Sequence, residues 1–260
     1  MKLFVGLLLM ASGAVAFWGL RDRPALSEPS APGAGPVPVM VELFTSEGCS
    51  SCPPADVLLS KLDQQPINGV EIIVLSEHVD YWNSLGWQDP FSSADFSKRQ
   101  SAYGDAFRSS SVYTPQMIVD GQQQFVGSDE KRAQSAIIKA AKEARAKVEL
   151  QFTSKLSINI TDLPHVTTDD AAEVLLAVTE SNLSSDVPRG ENAGRSLKHT
   201  AVVRHLQTVG EVAAGSNKFT ADAAVSFNTS WRKENLRIVV FIQERRTRRV
   251  LGAASLKVPA

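Results

Sequence analysis

The sequence predicts an α/β domain followed by an all-β, sandwich-like domain. Three observations carry this reading. An apolar run, Val39-Met40-Val41-Glu42-Leu43-Phe44, leads through a short loop into Cys49-Ser50-Ser51-Cys52 and then into the helical pattern of Ala55 to Leu62. Thr114-Pro115 stands before the apolar run Met117-Ile118-Val119, and Asp120-Gly121 after it marks a tight hairpin turn. From Lys147 the apolar residues recur at every second position, as in Val148-Leu150-Phe152 and Leu156-Ile158-Ile160. The first domain is placed at residues 39–146 and the second at 147–260.

The net charge of −1 gives no global attraction to nucleic acid. Residues 1–16 read as an export signal: Lys2 is the positive start, Leu3 to Met10 is apolar, and Ala14-Val15-Ala16 is a cleavage site. The alternative is an uncleaved anchor. Residues 17–38, rich in Pro, Gly, Ala and Ser, read as a linker. Export places the protein in the periplasm or outside the cell, where a disulfide persists unless something reduces it.

Cys49 and Cys52 are the only cysteines of the chain, so each has the other or an external thiol as partner. Residues three apart on a first helical turn share a face and are close enough to bridge. The free N–H groups at a helix start lower the pKa of a thiolate placed there. Pro53 and Pro54 put the expected start of regular helix at about Pro54. A small structural disulfide, or half of a metal site, fits the same spacing. Cys49, on the loop side, is expected to be the exposed, reactive thiol and Cys52 the more buried one. Glu42 lies in the strand before the pair. Buried, it would have a raised pKa and could shuttle protons for the second thiol; at a solvated strand edge it would do neither.

Val70 to Ser76 reads as a second buried strand, ending in Glu77-His78-Val79-Asp80 where α/β sheets place ligands. His78 is there a candidate base or metal ligand, or a structural histidine. Ser93 to Phe107 is expected as a helix, with Phe96, Tyr103 and Phe107 on its apolar side. Gln124-Phe125-Val126 is the return strand of the hairpin. Ser128 is the expected cap of a helix whose buried face runs from Ala133 to Ala144.

The order strand, C-S-S-C, helix, strand, helix, Thr-Pro, strand, Asp-Gly turn, strand, helix over residues 39–146 resembles the thioredoxin fold. The resemblance implies an α/β thioredoxin-like domain ahead of the all-β sandwich-like one. It implies that Pro115 is cis and faces the cysteine pair, with the backbone of Thr114 open to an extended client. Cys49 would be the nucleophile, Cys52 the resolving thiol, and Glu42 stands near the family's strand acid. More closely, Glu42-Leu43-Phe44-Thr45-Ser46-Glu47-Gly48-Cys49-Ser50-Ser51-Cys52-Pro53-Pro54-Ala55-Asp56 and Gly190-Glu191-Asn192-Ala193-Gly194-Arg195-Ser196-Leu197-Lys198-His199 resemble signatures of an exported bacterial family, catalogued as a thioredoxin-like domain of unknown function. The departures are Ser50-Ser51, Pro53-Pro54, and Gly48 where a tryptophan precedes the first cysteine; they leave the redox potential open.

In the second half, strands are expected at 173–178, 200–206, 218–227, 236–242 and 250–258 after the first two. Pro188 to His199 reads as a long polar loop that can reach over the cysteine site, bind a partner, or be held by its own ion pairs. His199 and His205 fall on one face of a strand, a weak zinc signal. Arg245-Arg246-Thr247-Arg248-Arg249 is a basic hairpin tip that can touch an anionic membrane surface or stand in solvent.

The leading functional expectation is a periplasmic thiol–disulfide oxidoreductase that exchanges disulfides with unidentified client proteins and requires no organic cofactor. Two rivals stand beside it. One is a binding module in which Cys49, Cys52 and His78 hold copper(I) or zinc. The other is an envelope interaction protein whose disulfide stays closed.

Overall fold

The run at 39–44 is apolar on both sides of the strand it forms, which calls for a sheet covered on both faces. In the computed structural model, which describes residues 35–65 and 67–259, this run lies in β1 (Val37–Thr45). It is followed by α1 (Pro53–Gln64), β2 (Val70–His78), α2 (Ala94–Ala106), β3 (Gln116–Val119), β4 (Gln123–Val126) and α3 (Glu130–Ala140). The second half contributes β5 (Lys147–Phe152), β6 (Leu156–Thr161), β7 (Ala172–Glu180), β8 (Leu183–Val187) and β9 (Arg195–His199). It ends with β10 (Val202–Val212), β11 (Phe219–Ala223), β12 (Leu236–Glu244) and β13 (Val250–Lys257). The expected signal segment, and the linker up to residue 34, lie outside the described residues.

Eight strands form one mixed sheet in the order β13-β12-β7-β10-β2-β1-β3-β4. Strands β11-β6-β5 make a separate three-stranded sheet, and β8-β9 a two-stranded ribbon. This corrects the expected fold class. An α/β thioredoxin-like domain followed by an all-β sandwich-like domain is not what the chain builds, because β7, β10, β12 and β13 extend the sheet of the first half. The joint is the parallel pairing of β10 with β2, where Val202 stands opposite Ser76 and the Ser76 N–H donates to the Ala201 carbonyl at 2.9 Å. Alternating hydrophobicity tells which face of a strand is buried, not which strand lies beside it. That is why the pattern found strands in the second half but missed their sheet.

One face of the large sheet carries Val39, Val41 and Leu43 of β1, packed on Leu58, Leu59 and Leu62 of α1 and on Ala133, Ala136 and Ile137 of α3. Further along that face, Leu156, Ile158 and Ile160 of the three-stranded sheet pack on Val174, Leu176 and Val178 of β7. The opposite face joins the halves: Met40, Ile73, Leu75 and Phe96 pack with Leu175, Ala177 and Phe241.

Local corrections follow from capping and register. Ser93 caps α2, its side chain accepting from the Asp95 N–H. Asp129, not Ser128, caps α3, accepting from the Arg132 N–H at 3.0 Å. His199 ends β9 and is buried, whereas His205 is exposed on β10, so the two do not share a strand face. In the turn after β12, Arg245 pairs with Glu173 at 2.6 Å and with Glu211, and Arg249 pairs with Glu244 at 2.8 Å. No helix among the described residues is long and apolar enough to cross a membrane.

Candidate functional site

After β1 the chain turns through Ser46, Glu47 and Gly48 into the cysteine pair. The Cys49 N–H donates to the Ser46 carbonyl at 3.2 Å, and the Cys52 N–H to the Cys49 carbonyl at 3.2 Å. The Ala55 and Asp56 N–H groups then donate to the Cys52 carbonyl at 2.8 and 3.1 Å, so Cys52 is the cap of α1 and Pro53 its first residue. A missing N–H costs nothing at that first position, so the prolines are accommodated. Cys49 and Cys52 form a disulfide with Cα atoms 5.4 Å apart. A Cβ on Gly48 would lie 3.1 Å from Trp82 Cβ, a tight approach. Both cysteines are fully buried at 0% exposure, and only Ser50 and Ser51 reach the surface. The expected contrast between an exposed Cys49 and a buried Cys52 is therefore absent.

The loop between β8 and β9 reaches the turn that carries the pair: Asn192, itself 0% exposed, donates from Nδ2 to the carbonyls of Glu47 and Cys49 at 2.8 and 2.9 Å. The neighbouring Glu191 accepts from the Ser50 N–H at 3.0 Å, and the Ser50 hydroxyl together with this N–H holds its carboxyl below the usual range. Trp82 borders Gly48, and its indole N–H donates to Thr114 Oγ1 at 2.8 Å. The Thr114-Pro115 peptide bond is cis. Pro115 borders Gly127, where an added Cβ would meet Leu43, Ala55 and Pro115 at 2.7, 3.0 and 3.1 Å.

Beneath the loop lies a buried polar cluster. Glu47 Oε1 pairs with His199 Nε2 at 2.8 Å, and Glu47 Oε2 accepts from the Trp87 indole N–H at 2.8 Å. Asp89 Oδ2 pairs with His78 Nδ1 at 2.7 Å and accepts from the Glu47 N–H at 2.8 Å. The two histidine rings stand edge to face at 4.9 Å. The second nitrogen of each ring, His78 Nε2 and His199 Nδ1, is buried without a protein hydrogen-bond partner among the described residues. Burial alone would raise the Asp89 carboxyl, but the facing His78 ring and the N–H groups of Glu47 and Phe91 hold it below the ordinary range.

Asp56, one helical turn after Cys52, accepts from Thr45 Oγ1 at 2.9 Å. Burial pushes its carboxyl up to about 7, against the opposing effects of His199 and the Thr45 hydroxyl; the Asp89 and Glu47 carboxylates add to the rise. This is an acid that changes charge near neutrality, one turn from a disulfide sulfur-bearing residue.

Cys49 and Cys52 are bridged, His78 lies in the polar cluster with Asp89 and His199, Thr114 accepts from Trp82, and Pro115 lies beside Gly127. Glu42 is buried on the other face of the sheet, where Arg99 of α2 contacts it at 2.5 Å and the Tyr103 hydroxyl donates to it. Asp56, Glu47, Asp89 and Asn192 were not singled out in the sequence as site residues. Asp56 had a local signal, four residues after Cys52 on a helix, and Asn192 stands in the 188–199 loop for which a reach over the cysteine site was one expectation; Glu47 and Asp89 meet through loops far apart in the chain. Among the described residues, no group of three His, Cys, Asp or Glu side chains is arranged to hold a metal ion.

The chain is similar to a protein of Agrobacterium tumefaciens solved by a structural genomics consortium: 29% identity, TM-score 0.69, covering 87% of this chain and 96% of that one. It also shares its fold with HBP35 of Porphyromonas gingivalis, at 14% identity and TM-score 0.61, covering 87% of this chain and 76% of that one. A search of the curated proteins found no match. A family profile described as "Protein of unknown function (DUF1223)" matches residues 40–243, a span that holds the cysteine pair, the loop between β8 and β9 and the polar cluster. The chain belongs to that family.

Proposed function

We propose that the protein is a thiol–disulfide oxidoreductase of the periplasm or cell exterior, exchanging the Cys49–Cys52 disulfide with protein clients. The observation that carries this reading is the disulfide on the first turn of α1, with the buried carboxyl of Asp56 one turn further on and titrating near neutrality. A client thiolate attacks Cys49 Sγ, the Cys49–Cys52 bond breaks, and the electron pair leaves on Cys52 Sγ. Asp56 in its acid form gives that thiolate a proton. A second client thiol then displaces Cys49, so the client leaves oxidised and the protein keeps two thiols. In the reverse direction the Asp56 carboxylate takes the Cys52 proton, and Cys52 attacks the mixed disulfide. In this reading Thr114 and Pro115 are the wall along which an extended client lies.

The burial of both cysteines favours one other reading, a structural bridge that stays closed. The reduction potential decides between them: an exchanging pair is expected between about −120 and −270 mV, a structural one below about −300 mV. Cys52→Ala tests the attack itself. It should accumulate mixed disulfides through Cys49 that mass spectrometry identifies; their absence, together with a low potential, would leave the structural bridge.

A further inference from the structure

The loop of residues 188–194 makes three hydrogen bonds to the main chain of the cysteine turn. Asn192 Nδ2 satisfies the Glu47 and Cys49 carbonyls, and Glu191 satisfies the Ser50 N–H. These are two acceptors and one donor spaced along a single backbone edge beside Cys49. An extended polypeptide carries the same complement of N–H and C=O groups. The loop also hangs from a ribbon, β8-β9, that is not hydrogen-bonded to either of the other sheets. It crosses the segment after Trp82 where two glycines meet: Gly86 and Gly190 have φ of +109° and +83°, and a Cβ on Gly86 would lie 3.3 Å from Gly190 Cα. Such positions let a loop change its backbone without the strain a side chain would bring.

We propose that residues 188–194 are a displaceable lid, and that the main chain of Glu47, Cys49 and Ser50 beneath it is the docking edge for an extended client segment. This rests on the exchange reading above. Asn192 is the latch. With it closed, Cys49 is fully buried and no thiolate reaches its sulfur. The client that opens the lid replaces Asn192 with its own N–H groups and Glu191 with a carbonyl. The lid is thus a stand-in for the segment it keeps out.

The full chain tests this by its rate of reduction with excess dithiothreitol. Asn192→Ala removes two amide hydrogen bonds and should speed reduction by roughly tenfold. Glu191→Gln, at an exposed position where folding is not at stake, weakens the contact to Ser50 and should speed it less. Equal rates for the wild type and both variants would overturn the lid. The docking edge is read separately, in Cys52→Ala joined through Cys49 to a short cysteine-containing peptide. There, amide hydrogen exchange in residues 188–194 should rise while the Ser50 N–H stays protected. A loop that keeps its protection, or a Ser50 amide that loses it, would overturn the docking edge. If Asn192→Ala is reduced faster but no protein mixed disulfide ever forms, the lid stands and the exchange reading falls.

Discussion

Two buried charge clusters flank the sheet, and they are built on opposite principles. On the α2 face, Arg99 pairs with Glu42 at 2.5 Å and Glu77 at 3.3 Å, and donates to the Gln243 side chain at 3.0 Å. Burial alone would favour loss of its proton, but Glu42, Tyr103 and Glu77 hold the guanidinium charged. On the disulfide side, three carboxylates, Glu47, Asp56 and Asp89, face only the two imidazoles of His78 and His199. One cluster is anchored by a cation that never titrates in a protein; the other has none. The first is suited to holding two halves of a chain together. In the second, burial raises Asp56 to about 7, so that it changes charge near neutral pH.

Substitution at the anchored cluster should have the largest effect. Arg99→Met leaves two buried carboxylates without a cation and should cost about 3–5 kcal/mol in urea unfolding. A loss below about 1 kcal/mol would mean that the two clusters do not differ as described.

Asp56→Asn should act in the opposite direction. The Asp56 carboxyl is raised in the fold to about 7, so its protonated form favours folding. The stability it contributes is whole below the unfolded value of about 4 and is lost as pH rises towards 7. The Asn variant should therefore match the wild type near pH 4 and exceed it at pH 8 by about 2–4 kcal/mol. It should also remove the step near pH 7 from the rate at which Cys52 resolves a mixed disulfide. A variant that is less stable than the wild type at pH 8 would assign Asp56 a structural role instead.

The smallest effect belongs to Glu77→Gln. Burial pushes the Glu77 carboxyl well above its ordinary range, against Arg99 and with the help of Glu42. An amide should therefore replace it at a cost below about 1 kcal/mol, whereas Glu42→Gln, which removes the partner at 2.5 Å from Arg99, should cost more.

The contrast between the clusters also marks what could be read from the sequence. The Cys49–Cys52 bridge was legible because its chemistry is local, a spacing of three, whereas the cis Thr114-Pro115 bond was implied by the resemblance to the thioredoxin fold and not by the local sequence. Glu42 was legible as a carboxylate inside an apolar run, but its partner is set by Arg99, 57 residues later, on a helix whose face the pattern of Phe96 and Tyr103 defines only as apolar. Asn192 and His199 meet Glu47 across 145 and 152 residues, and no local periodicity encodes such a meeting. The same limit hid the sheet. β7 and β12 read clearly as strands, yet their place beside β10, and through it beside β2, is a long-range choice made by packing against Met40 and Phe241.

The joint between β2 and β10 has a consequence for how the chain is made. β2, with Ile72, Ile73, Val74 and Leu75 in a row, is complete by residue 78, but its neighbour on that side starts only at Val202. While the intervening residues are being synthesised, β2 is an apolar strand with an open hydrogen-bonding edge. That is the state in which chains pair with one another instead of with themselves. Fragments that end before β10 leave the Ser76 N–H at that edge without its Ala201 partner and are expected to pair with one another more readily than the whole chain.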